Sequence, residues 1–386
     1  MNALKDLLKN NMRQYSMIIA LVLIVLLFQF ITDGVLLKPI NITNLILQNS
    51  YILVLAIGMV LIIITGHIDL SVGSIAAFVG AVSGILMVNM QMNAWLAVII
   101  CLLIGALIGA WQGYWVAYFG IPAFIVTLAG MLLFRGLTFV ILKGQSLSPF
   151  PQEFQRISNG FIADPFGGEN LHILTIIIGI IVSLVLVVLD FKNRNNLLKY
   201  NFDVLPTGLF YTKIVGILLI VNLFTYVLAT YRGIPYILII LAVLIAIYVF
   251  VMKKTIVGRH IYAVGGNLKA ASLSGVKTKK VTFGVFVNMG MLSALSGLIF
   301  AARLNAATPR AGTLFELDAI AAVFIGGASA YGGVGSVGGA VVGGLVMGVM
   351  NNGMSIMGLG IDWQQAIKGL VLLAAVAFDI MNKRKS

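Results

Sequence analysis

Apolar segments long enough to cross a bilayer recur throughout this chain, and no other feature of the sequence restricts its fold so severely. A spanning helix needs roughly 20 residues, and such stretches occur at about 16–33, 49–66, 73–90, 94–119, 121–142, 172–190, 213–231, 234–252, 281–303, 317–333, 334–353 and 366–382. Within hydrocarbon every backbone N–H and C=O must be satisfied internally, so such spans fold as helices. The expectation is an all-α polytopic membrane helical bundle, one domain over 1–386, with about 12 transmembrane spans and both termini cytoplasmic. Several spans are short or rich in glycine, so discontinuous helices are expected among them. Composition agrees: 60% of the residues are hydrophobic and only 10% charged, against roughly a quarter charged in a soluble domain.

In a soluble protein a net charge of +13 would raise nucleic acid as a partner. Here the cations are confined to connecting segments, which is how a membrane protein marks its cytoplasmic side, and no nucleic acid is expected. Segment 253–280 carries Lys253, Lys254, Arg259, Lys269, Lys277, Lys279 and Lys280 with no acid. Segment 191–213 carries Lys192, Arg194, Lys199 and Lys213 against Asp203, and the tail ends Lys383, Arg384, Lys385. These are expected to be cytoplasmic. By contrast, 143–171 balances Lys143 and Arg156 against Glu153, Asp164 and Glu169, and 304–316 balances Arg310 against Glu316, so both are expected on the periplasmic side. At the start, Lys5, Lys9 and Arg13 oppose Leu4, Leu7, Leu8 and Met12 at helical spacing. That pattern fits an interfacial helix over 1–15, followed by a retained anchor with no small-residue cleavage site.

Polar groups at membrane depth are few. Cys101 is the single cysteine and lies inside an apolar span, which excludes a disulfide framework and a cysteine metal site. His67 stands apart from His172 and His260, which fall on opposite expected sides, so no metal centre is expected. Asp69 and Ser71 interrupt the apolar run in Gly66-His67-Ile68-Asp69-Leu70-Ser71-Val72-Gly73-Ser74. An acid at the bilayer centre costs about 2.5–3.5 kcal/mol, so Asp69 must be paired, solvated or near an interface. The flanking glycines point to a turn or broken helix, with Asp69 or Ser71 capping a helix that begins near Ser74; solute contact and proton relay are the alternatives. Arg135, Glu316 and Asp318 are expected at interfaces or in salt bridges within the bundle. Asn288, Asn351, Asn352, Trp363 and Gln364 suit either sugar hydroxyls or bonds between helices. The pairs Gly326-Gly327, Gly332-Gly333, Gly338-Gly339 and Gly343-Gly344 imply either tight helix packing or a lining for a path. Gly105, Gly109 and Gly113 form a further ridge for packing. No glycine-rich phosphate loop of the G-x-x-x-x-G-K-[ST] kind occurs, and no nucleophile–base pair is visible, so powered transport would draw its power from a partner.

Within 253–280 lies Gly265-Gly266-Asn267-Leu268-Lys269-Ala270-Ala271-Ser272-Leu273-Ser274-Gly275. Asn267 is a favoured N-cap, Leu268 to Ser274 makes about two turns, and Gly275 is the favoured residue past a helix end. Such a segment serves as a docking knob for a cytoplasmic protein, an anionic-lipid patch or a plain loop helix.

Here the sequence resembles a known family. Gly258-Arg259-His260-Ile261-Tyr262-Ala263-Val264-Gly265-Gly266-Asn267, followed by Ala270-Ala271 and Leu273-Ser274-Gly275, is similar to the ribose/xylose-type sugar ABC permeases. The same resemblance runs in order through Ile68-Asp69-Leu70-Ser71-Val72-Gly73-Ser74, Ile121-Pro122-Ala123-Phe124-Ile125-Val126-Thr127-Leu128, Ala311-Gly312 with Glu316-Leu317-Asp318-Ala319-Ile320-Ala321-Ala322, and Gly348-Val349-Met350-Asn351-Asn352-Gly353, covering about residues 45–380. It implies a non-enzymatic permease of the bacterial inner membrane that moves a monosaccharide inward by alternating access. It also implies a second copy of the chain, a cytoplasmic ATPase subunit that binds ATP and Mg, and a periplasmic sugar-binding protein; the chain itself would carry no cofactor. Arg259, Gly265, Gly266, Asn267, Lys269, Ala270, Ala271 and Gly275 would couple to the ATPase. Asp69, Ser71, Phe124, Thr127, Asn288, Asn351, Asn352 and Trp363 would line the path. The extension over 172–231 with Arg232-Gly233-Ile234-Pro235 is similar to the xylose and multiple-monosaccharide subgroup, and favours xylose, glucose or galactose over ribose. The rivals are an ion-coupled secondary transporter using Asp69 or Glu316, and a membrane-embedded enzyme.

Overall fold

In the computed structural model the described residues are 12–167, 171–202 and 204–383. The expected interfacial helix of 1–15 lies almost wholly outside them, as do Glu169, Asp203, Arg384 and Lys385. Among the described residues the helices run α1 (Met12–Ile31), α2 (Pro39–Ile64), α3 (Val72–Gly84, prolonged by a π turn over Ile85–Asn89), α4 (Ala94–Ala117) and α5 (Ala123–Leu142). They continue as α6 (Gln152–Asn159), α7 (Ile173–Lys199), α8 (Thr207–Ala229), α9 (Tyr236–Lys254), α10 (Ile256–Gly266) and α11 (Leu268–Leu273). The last four are α12 (Thr278–Leu304), α13 (Phe315–Ile325), α14 (Val337–Ile356) and α15 (Ile361–Lys383). Nine of these, counting α3 with its π turn, are long and apolar enough to cross a membrane among the described residues. Prolines open several: Pro39 falls in the first turn of α2, and Pro122, Pro151, Pro206 and Pro235 immediately precede α5, α6, α8 and α9. A proline's fixed φ suits a helix start, where its missing N–H has no partner to lose.

The core forms around α2, where every residue from Ile52 to Ile64 is buried. Beside it stands α12, 27 residues and therefore about 40 Å long, packed on α2, α3 and α4. The ridge of small residues on α4 is the contact surface. A Cβ on Gly109 would fall 2.3 Å from Phe286 O, and one on Gly290 would fall 2.2 Å from Gly105 O, so the two backbones touch directly. The glycine pairs of 326–344 work likewise: a Cβ on Gly343 would lie 1.8 Å from Ala322 O, which lets α13 and α14 close on each other.

Three segments depart from expectation. The stretch 317–333 is not one continuous helix: α13 has 11 residues, about 16 Å, and the chain continues as an irregular glycine-rich turn over 326–336. The segment 191–213 is mostly helix, because α7 continues to Lys199 and α8 begins at Thr207. The long polar ends are held together by Lys213 against Asp190 at 2.6 Å and by Arg194 over the Phe210 ring at 4.6 Å. Segment 143–171 also holds a helix, α6, anchored by the buried ring of Phe154.

The two segments expected outside form one surface. Leu147 and Ala307 exchange backbone hydrogen bonds, Phe150 N donates to Asn305 Oδ1 at 2.8 Å, and Tyr236 N donates to Gly160 O at 3.0 Å. At the basic end the close of α2, the pair α10–α11 and the 326–336 turn meet: Gly333 N donates to Ile64 O at 2.8 Å.

Candidate functional site

At the basic end, α10 and α11 form a projecting helix–turn–helix. Thr255 opens α10 by accepting from Gly258 N at 3.4 Å. Asn267 then does two things at the junction. Its N–H donates to Ala263 O at 3.1 Å, ending α10, and its Oδ1 accepts from Ala270 N at 2.9 Å, starting α11. Gly275, at φ +84°, turns the chain out of α11 in the left-handed conformation that glycine adopts without strain. Sequence spacing had located α11 and both of its ends; it missed α10, whose signal was Thr255 before the run Ile256-Val257.

The projection is anchored on one face and open on the other. Ile261, Val264 and Ala271 are buried inward, while Arg259, Gly266, Asn267, Lys269 and Ala270 are exposed. Leu268 and Leu273 are 55% and 90% exposed. At Gly265 a Cβ would fall 1.6 Å from Ile64 O, so α10 lies directly on the end of α2. Tyr262 Oη donates to Gly335 O at 2.8 Å, and burial pushes its phenol pKa up, keeping it a donor. The knob is thus tied to α2 and to the turn that leads into α14.

A second group lies inside the bundle where two interrupted segments meet. The chain unwinds between α2 and α3 and again before α13, and Gly73 and Gly312 touch: a Cβ on Gly312 would fall 1.9 Å from Gly73 O. Asp69 is fully enclosed and its Oδ1 accepts from Ser71 N at 2.8 Å and Ser71 Oγ at 2.6 Å. The helix begins at Val72, near Ser74 as expected and with Ser71 at its N-cap position, but the Ser71 hydroxyl makes no cap bond; Gln112 Nε2 donates to it instead at 2.8 Å. Gln112, the amide inside the apolar α4, escaped the sequence reading. Thr127 Oγ1 bonds Ala123 O at 2.9 Å and reaches Ile68 O at 3.4 Å. Arg135 spans the meeting point, donating to Ser74 Oγ at 3.3 Å, Thr313 Oγ1 at 3.0 Å and Gly312 O at 3.4 Å. Beyond it Asp318 pairs with Lys368 of α15 at 3.0 Å.

A polar cavity of about 370 Å³ opens between α2, α12, α14 and α15. That volume falls in the range of small-molecule sites. Tyr51, Arg303, Asn351, Ser355, Gln364 and Lys368 are among its lining residues. The Tyr51 ring stacks on Phe315 at 4.1 Å and meets Phe300 edge-on at 5.3 Å, giving it a fixed orientation. Asn351 Oδ1 is buried without a hydrogen-bond partner. Its neighbour Asn352 is committed to a reciprocal amide pair with Asn41, at 2.8 and 3.1 Å, which ties α14 to α2. An aromatic face, the unpartnered Asn351 Oδ1 and the cations Arg303 and Lys368 around one hollow suit a compact polyhydroxylated solute.

The eight candidate path residues therefore divide. Asn351 and Asn352 border the cavity; Asp69, Ser71 and Thr127 sit in the buried cluster. Asn288 accepts from Tyr248 Oη, 11 residues along α12 from the cavity-lining Ile299. Phe124 and Trp363, 54% and 69% exposed, face outward. Among the described residues no three His, Cys, Asp or Glu side chains gather as metal ligands.

A family model described as branched-chain amino acid transport system / permease component matches residues 41–376. The xylose transport system permease protein of Haemophilus influenzae is 41% identical over 97% of this chain and 98% of its own length. Its Escherichia coli K12 counterpart is 39% identical over 97% of this chain and 94% of its own. The ribose import permease protein of the same strain is 34% identical over 97% and 95%. No solved structure matches.

Proposed function

Because the chain belongs to the branched-chain amino acid transport system / permease component family, as a ribose/xylose-type ABC sugar permease of the bacterial inner membrane, we propose that it carries xylose inward. In this reading it works as a homodimer with a separate cytoplasmic ATPase, which binds ATP and Mg, and a periplasmic xylose-binding protein. The basic end faces the cytoplasm, and the surface built from 143–171 and 304–316 receives the binding protein. The higher identity to the xylose permeases than to the ribose permease supports the choice of sugar.

One observation carries the mechanism: the knob α10–α11 rests on the end of α2, and the cavity opens on the same helix. Gly265 touches Ile64, while Tyr51 lines the cavity 13 residues, or about 20 Å, further along the rod. Closure of the ATPase pushes the knob through Leu268, Leu273, Lys269 and Arg259. The push passes by backbone contact at Gly265 into α2, and through Tyr262 and Gly333 into the start of α14. Movement of α2 against α12 and α14 then reshapes the cavity, which is the differential contact that a driven two-state transporter requires. Few tight contacts in the cavity let the sugar leave again.

The test is reconstitution into proteoliposomes with the cognate ATPase and binding protein. Labelled xylose should accumulate only with ATP. Asn267→Pro, which removes the N–H that ends α10 and the cap that starts α11, should insert normally but lose co-purification with the ATPase and all uptake. Accumulation driven by a proton gradient with no ATPase present would instead favour ion coupling through the intramembrane acids Asp69 and Glu316.

A further inference from the structure

Besides the polar cavity, a groove of about 590 Å³ lies toward the other end of α12, between α9, α10 and α12. Its walls are Leu61, Ile247, Val251, Val281 and Val285, all apolar, and Lys277 and Lys280 stand at its mouth. We propose that this groove is a binding site for an anionic phospholipid of the leaflet at the basic end, with the headgroup phosphate between the two lysines and an acyl chain laid along the wall.

Three observations carry the assignment. The first is length. From Lys280 to Asn288, where the paired Tyr248 and Asn288 close the groove, α12 advances eight residues, about 12 Å. One leaflet's hydrocarbon is about 15 Å deep, so the groove follows α12 through most of a leaflet. The second is charge. Lys277 and Lys280 have no carboxylate partner among the described residues, and the whole segment 253–280 contains no acid to provide one. The third is accommodation. Gly284 faces the hollow, with no atom within 4 Å of a Cβ built on it, so the middle of the wall is recessed by one side chain. A basic rim beside a largely apolar slot of this length fits a phosphodiester with a hydrocarbon tail, and does not fit a soluble sugar. Because Val257, His260 and Ile261 of α10 also line it, a lipid seated there touches the knob directly.

Native mass spectrometry of the purified full chain tests this with phosphatidylglycerol and phosphatidylcholine as probes. The wild type is expected to retain one phosphatidylglycerol per chain in preference to phosphatidylcholine. Lys277→Ala with Lys280→Ala should weaken that retention by roughly thirtyfold, as expected for two cations beside one anionic headgroup. Gly284→Leu should displace the lipid with every charge intact, by filling the recess. Equal retention of the two lipids by the wild type overturns the proposal. So does undiminished phosphatidylglycerol binding by Gly284→Leu, which reduces the effect to surface charge. Loss of the ATPase by the lysine variant with lipid occupancy unchanged also overturns it, assigning the rim to a protein contact. None of these readouts depends on which sugar is carried.

Discussion

Gly265 and Gly266 are neighbours in sequence with opposite surroundings, and that contrast is the sharpest handle on the knob. A methyl at 265 has a carbonyl oxygen 1.6 Å away and backbone on both sides, whereas nothing lies within 4 Å of one at 266. Gly265→Ala is expected to lower stability by about 1–3 kcal/mol, the range for forced overpacking, and Gly266→Ala to leave the melting temperature unchanged in detergent. Equal melting of the two would mean that α10 does not press on α2. Lys368 offers a second test. Asp318 is almost fully buried and draws on Lys368 for its ion pair, and a carboxylate left unpaired inside a protein costs roughly 3–5 kcal/mol. Lys368→Met should therefore destabilise strongly, and Asp318→Asn in the same chain should restore most of the loss, measured as a double-mutant cycle of thermal melts.

Among the elements, the α7–α8 hairpin stands apart. Its helices pack mainly on each other, and its two ends return to one place, with His172 N donating to Ala229 O at 2.9 Å. Excising 173–228 removes both helices and needs almost no new linker. The shortened chain is expected to insert and to keep its ATPase in co-purification; failure to recover it from membranes would show that α8, through buried Leu228, supports α2. The hairpin's two spans were readable from hydropathy because each helix contains an apolar run long enough to cross, though its polar ends were not read as helix. The interrupted elements were only half readable. Asp69 with Gly66 and Gly73 announced a break, but the break's partner, the descending segment that brings Gly312 onto Gly73, lies more than two hundred residues away and left no local pattern. The same limit explains the cavity: Asn351 and Asn352 differ in role by the chance of which one meets Asn41, and adjacent identical residues carry no sign of it. Asn267 and Gly275, by contrast, act within three or four residues of themselves, so α11 was legible to its ends.

For the molecule as a whole, the proposed sidedness is open to direct measurement. In a Cys101→Ser background, Thr308→Cys should react with a membrane-impermeant thiol reagent from outside intact cells, and Lys269→Cys only after the cells are opened. The reverse pattern would invert the assignment of both ends and remove the ATPase from the knob. If the assignment holds, Leu273 has a further implication. A permease made without its ATPase displays this leucine, 90% exposed, to the cell interior as a sticky, unclaimed handle. On the docking proposed above, an orphaned copy would keep bare an apolar side chain that the ATPase would otherwise cover.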